Sequence, residues 1–165
     1  MCVKIYAFID SQNLKLAIKS AGWKLDFEKF RVYLWHKYHV QKAFIFMGYL
    51  PENKKFYAYL RRVGYILVFK PILKYKNGII KGNCDGELIL HCMLEYANFD
   101  KAVIVSGDGD FHCLIECLKQ RGKLLAIGVP NRNQYSSLFR KFLKYCFYIA
   151  DQKSFLEYKS ERHVD

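Results

Sequence analysis

The chain has 165 residues, the length of one compact domain, and 52% of them are hydrophobic against 25% charged. That balance supplies a buried core and excludes wholesale disorder and collagen-like or proline-rich character. No apolar run reaches the roughly 18 residues of a membrane span. The opening MCVKIYAFIDSQ breaks at Asp10 without a small-residue cleavage site, so a cytoplasmic protein without a membrane partner is expected. Twenty-seven lysines and arginines against 15 acidic residues give a net charge of +12. From Asn53 to Cys84, and again from Cys117 to Ala150, there is no acidic residue at all. One-sign segments of this length, in a chain rich in Tyr and Phe, point to a polyanion, because cations neutralise phosphates and rings stack on unpaired bases. The six cysteines, Cys2, Cys84, Cys92, Cys113, Cys117 and Cys146, come with no export signal in a core-rich chain and read as reduced, mostly buried thiols.

In chain order, Val3 to Ile9 is a β-branched and aromatic run ending at Asp10, with Ser11 as the cap of a helix to about Ala21. Asp26 caps a second helix in which Phe27, Phe30, Leu34 and Tyr38 recur at helical spacing. Lys42 to Tyr49 reads as a second strand. Pro51 and Asn53 then open a basic helix closed by Gly64, and Tyr65 to Phe69 is a third strand. Asn77-Gly78 between apolar runs is the strongest hairpin signal in the chain. Asp85 to Ala97 is helical, Ala102 to Ser106 a strand, Phe111 to Arg121 a helix and Leu124 to Val129 a strand. A helix near Ser136 to Leu143 and a short strand at Cys146 to Ile149 complete a domain over residues 1–152, and 153–165 reads as a loosely attached tail. Alternating strands and helices predict an α/β domain with a mostly parallel sheet flanked by helices on both faces.

In such sheets ligands collect at the carboxyl ends of the strands, where strand order reverses. Asp10 follows the first strand, Asp108 and Asp110 follow the strand AVIVS, and Asp85 opens a helix at the same edge. Carboxylates gathered there repel one another unless a cation is present, and an all-oxygen set suits Mg²⁺ or Mn²⁺. Such a metal lowers the pKa of bound water and stabilises charge on a phosphate, the chemistry of phosphodiester hydrolysis.

Three blocks, FIDSQN at 8–13, KGNCDGELIL at 81–90 and VSGDGDFHCLI at 105–115, resemble the signature blocks of the NYN domain, a branch of the PIN-like nuclease superfamily. The resemblance spans roughly the first 150 residues. It implies a Rossmann-like PIN fold and metal-dependent ribonuclease activity on single-stranded or structured RNA, with Asp10, Asp85, Asp108 and Asp110 as catalytic metal ligands and Asn13 and Ser106 in support. Where many relatives carry a second acid about two turns into the Asp85 helix, this chain has His91-Cys92, and Gly86 and Glu87 follow Asp85 directly. That departure keeps a second reading open, a non-cleaving RNA-binding module with the same acidic pocket. Lys74, Lys76 and Lys81, beside the Asp85 block, are expected to contact nucleic acid.

Duller readings stand beside these. Asp10 and Asp85 suit helix capping, and Asp108 and Asp110 a glycine-rich turn. His91-Cys92 and His112-Cys113-x₃-Cys117 lack a C-x₂-C pair, which argues against zinc, and His36 and His39 have no third ligand nearby. No G-x-G-x-x-G follows the first strand, so a dinucleotide site fails. An aspartyl-phosphatase would need a second acid near Asp10, and Ser11-Gln12-Asn13 supplies none. DNA as substrate and the oligomeric state, a homodimer among the options, stay open.

Overall fold

Six consecutive buried residues, Ile5–Asp10, form β1, and burial on both faces is what a central strand of a parallel sheet requires. The computed structural model describes residues 3–71, 73–74, 80–81 and 84–159, with the backbone alone at 73–74 and 80–81. After β1 come α1 (Ser11–Ser20), α2 (Phe27–Tyr38), β2 (Lys42–Gly48), α3 (Lys54–Arg62) and β3 (Tyr65–Lys70). The short strands β4 (Leu73–Lys74) and β5 (Ile80–Lys81) pair antiparallel, as a hairpin would, and the Asn77-Gly78 turn lies outside the described residues. Then follow α4 (Asp85–Leu94), β6 (Lys101–Val105), α5 (His112–Gln120), β7 (Leu124–Val129), β8 (Cys146–Tyr148) and α6 (Lys153–Leu156).

The main sheet has six strands in the order β3-β2-β1-β6-β7-β8, every adjacent pair parallel. The chain winds from β1 outwards one way through β2 and β3, then crosses to β6 on the other side of β1. The order therefore reverses between β1 and β6, whose registers align Ile9 with Val105. Alternation along the strands divides the core in two. Ala7, Ile9, Ile45, Met47, Val103 and Val105 pack with α1, α2 and α3, while Tyr6, Phe8, Phe44, Phe46 and Ile104 pack with α4 and α5. No helix among the described residues is long and apolar enough to cross a membrane.

Four local readings are corrected. Asp10, not Ser11, caps α1, because its extended backbone turns the carboxylate onto the N–H groups of Gln12 and Asn13. The expected helix near Ser136 is a 3₁₀ stretch, Ser137–Tyr145, which buries Phe139 and Phe142 three residues apart, the period of the tighter helix. The first part of the expected tail is attached: Leu156 is fully buried and Leu25 bridges to Glu157, because α6 carries an apolar anchor. The thiols of Cys84 and Cys92 are buried, but Cys113 is exposed on α5.

Candidate metal and nucleic-acid site

Each acidic residue reaches the carboxyl edge of the sheet for a local reason. Asp10 ends β1 and caps α1. Asp85 is the first residue of α4, where a carboxylate is favoured by the helix dipole. Asp108 caps the 3₁₀ turn Gly109–Phe111 that leads into α5, accepting the Asp110 N–H on Oδ1 at 3.0 Å, and this turn carries Asp110. Capping engages one oxygen of Asp108, so the capping and site readings hold together.

Asp85, Asp108 and Asp110 each offer a carboxylate oxygen within 4.8 Å of the others. Asp10 stands outside that mutually close set, although the sequence reading placed it among the ligands. It is buried to 7% exposure, accepts the Gln12 and Asn13 N–H groups at 3.1 Å each, and accepts the Ser106 hydroxyl at 3.2 Å. Burial, which penalises the charged form, pushes its pKa from 3.8 to about 6, and the neighbouring Asp85 carboxylate adds to the rise against the opposing hydrogen bonds.

Asn13 and Ser106 fix the turn after β6. The Ser106 hydroxyl, itself donating to Asp10, accepts the Asp108 N–H at 3.1 Å, and Asn13 Oδ1 accepts the Gly107 N–H at 2.8 Å. From the other side the loop after β7 closes over the turn, with the Ser136 N–H donating to the Gly107 carbonyl at 2.9 Å. Both glycines are there for space. A Cβ at Gly107 would lie 3.3 Å from the Gln134 carbonyl oxygen, and one at Gly109 only 2.5 Å from Ser136 Oγ.

Three features escaped the sequence reading. Lys70, at the carboxyl end of β3, pairs with Glu87 on α4 at 3.2 Å, beside Cys84, whose thiol feels Glu87, Asp10 and Asp85 and is raised to about 11, chiefly by burial. His91, which the sequence reading marked only as a departure from the family pattern, lies with its ring 4.9 Å from Phe44 and 5.7 Å from Phe46, an aromatic contact. The third is the cover over the Asp108 turn by residues 134–136, signalled only by Gly107 and Gly109 themselves. Of the expected cationic contacts, the backbones of Lys74 and Lys81 sit in the β4–β5 hairpin that precedes α4, and Lys76 lies outside the described residues.

A doubly wound parallel sheet with clustered carboxylates at its reversal point is the architecture of PIN-like domains. The NYN domain family matches residues 4–150, and the chain belongs to that family, within the PIN-like superfamily, a nuclease type of fold. The chain is also similar to the low amplitude and bright protein LabA of Synechococcus elongatus, 25% identical over 169 residues that span 96% of this chain and 90% of the relative. A crystal structure of a protein of unknown function from Vibrio parahaemolyticus superposes with a TM-score of 0.75 at 26% identity, covering 93% of this chain and 96% of that one.

Proposed function

We propose that the chain is a ribonuclease that hydrolyses RNA phosphodiester bonds with a Mg²⁺ or Mn²⁺ ion held by Asp85, Asp108 and Asp110. The observation that carries this reading is the convergence of those three carboxylates within 4.8 Å at the switch point of the sheet. A donor set made only of carboxylate oxygens fits a hard divalent cation. Such an ion supplies activated water and neutralises the charge that builds on the phosphate. The chain's own residues provide placement. Ser106 and Asn13 hold the Asp108 turn to α1, and α4 presents Asp85 from the opposite side. Asp10, with its pKa near 6, changes its proton occupancy close to neutral pH beside Asp85. The net reaction joins a water oxygen to phosphorus and breaks the ester bond, leaving a phosphate monoester and a free hydroxyl.

RNA is supported by the uninterrupted basic segments and by the family, and Lys74, Lys76 and Lys81, in the basic segment before α4, are the proposed strand contacts. The second reading, RNA binding without cleavage, is favoured by one observation, the aromatic seat of His91. Labelled single-stranded and structured RNAs, incubated with Mn²⁺ or EDTA and run on denaturing gels, separate the two. Cleavage is expected with Mn²⁺, absent with EDTA, and abolished in Asp108→Asn and Asp85→Asn while binding persists. Tight binding with intact RNA in Mn²⁺ selects the non-cleaving module, and cleavage by both variants at the wild-type rate refutes the site.

A further inference from the structure

Between α1 and α3, on the face of the sheet that these helices cover, a groove of about 730 Å³ has a volume suited to a small organic ligand. Trp23 forms part of its floor and is nearly buried, while Phe56 and Tyr158 line it as partly open rings. Three lysines, Lys15, Lys19 and Lys24, face it against one acid, Asp26. That acid is already engaged: its carboxylate caps α2 through the N–H groups of Glu28 and Lys29 and lies 3.9 Å from the Lys29 ammonium. The groove is therefore cationic as well as aromatic.

The two chemistries are interleaved. The Lys15 ammonium sits 4.3 Å from the Phe56 ring centroid and that of Lys24 sits 4.4 Å from Tyr158. Tyr158 is 50% exposed, yet its backbone is held because its N–H donates to the Lys24 carbonyl at 2.8 Å. Its backbone is thus anchored while half of its surface stays open to a ligand beside the Lys24 ammonium. Asn53 adds an amide at the rim that makes no capping bond to α3 and can pair with a base edge.

From this juxtaposition we propose that the α1–α3 groove binds an unpaired nucleotide of an RNA strand, its base stacked on Tyr158 and its phosphates on Lys15 and Lys24. A strand rather than a free mononucleotide is favoured because three lysines line the groove, more cations than a single phosphate pairs with. None of the clustered carboxylates is among the residues that line it. Desolvation lowers the Lys15 pKa from its ordinary value, and an anion beside it would offset that cost.

The test is fluorescence-anisotropy titration of fluorescein-labelled hexauridylate in EDTA, which excludes cleavage and any contribution from a bound cation. Tyr158→Ala is expected to weaken binding at least about fivefold, with Tyr158→Phe retaining affinity because the ring remains. Lys15→Ala with Lys24→Ala should flatten the dependence of log affinity on log salt by about 0.7 for each phosphate no longer neutralised. In a Trp35→Phe background, hexauridylate should quench the remaining Trp23 emission. Unchanged affinity in Tyr158→Ala and in the lysine pair overturns the proposal. Uridine monophosphate binding as tightly as the hexamer overturns the strand as the source. Binding that appears only after residues 160–165 are removed assigns the groove to the chain's own end and overturns it as well. Thermal melts of each variant confirm folding, and none of these outcomes depends on whether the carboxylates cleave RNA.

Discussion

Asp10→Asn tests the electrostatics of the site without altering its shape. Asn keeps an oxygen to accept the Gln12 and Asn13 N–H groups, and its amide can face the Ser106 hydroxyl, which then accepts. What changes is charge. The folded chain binds the Asp10 proton more tightly than the unfolded chain, whose carboxyl stays near 3.8, so protonation favours folding. The stabilisation from that proton is complete below pH 3.8 and is lost as pH rises through about 6. The rise from 3.8 to about 6, at ~1.36 kcal/mol per pKa step, makes the ionised carboxylate a liability of about 3 kcal/mol at pH 7.5. Asp10→Asn should therefore be more stable than wild type by about 2–3 kcal/mol at pH 7.5 in EDTA, a gain of about 5–10 °C in melting temperature for a domain of this size. Urea titrations of both proteins at half-unit intervals from pH 3.5 to 8 should show the difference opening between about pH 4 and 7 and closing below pH 4. A difference that is constant with pH, or a variant less stable than wild type at pH 7.5, would refute the burial and repulsion assigned to Asp10.

Gly109→Ala is expected to destabilise by about 1–3 kcal/mol in urea, since its Cβ would press on Ser136, whereas a Cβ at Gly86 on α4 meets nothing within 4 Å among the described residues, and Gly86→Ala should be neutral or gain up to about 1 kcal/mol. His91→Leu removes a buried Nε2 that has no hydrogen-bond partner among the described residues, and should leave stability equal or raise it by up to about 1 kcal/mol by the same measurement. The Lys74→Ala, Lys76→Ala pair should weaken RNA binding alike for many sequences and reduce the salt slope by at most about 0.7 for each phosphate that loses its lysine. Parallel salt plots for wild type and variant would move the strand path to the basic stretch Lys119 to Lys144.

The parts of the fold written locally were legible. Asp26 before Phe27, Phe30 and Leu34 marks α2, and Gly64 and Gly122 mark helix ends that require positive φ. The alternation of elements predicts a parallel sheet and its carboxyl edge, whereas the pairing of β1 with β6 across the reversal is only assumed there and is given by the structure. Asp10 shows where local reading stops. Two oxygens near a helix start say "cap" or "ligand" equally, and the hydroxyl that one of them accepts comes from Ser106, 96 residues away. α2 likewise ends on His39 at φ 54°, where no glycine gives the signal, and the Lys70–Glu87 pair joins a strand end to a helix that sequence spacing does not relate.

The Asp108 turn is tied to α1 across 94 residues by Asn13, and α1 is tied to the loop after β7 across 114 residues by Ser20 and Gln134. Contacts of such separation are closed late in folding, because chain entropy is lost before they form. Asp108 and Asp110 share one local turn, but Asp85 joins them only through tertiary packing, so the set of three is complete only in the folded domain. A divalent ion should then leave the folding rate nearly unchanged and slow unfolding, so that its stabilisation appears almost wholly in the unfolding limb of the chevron.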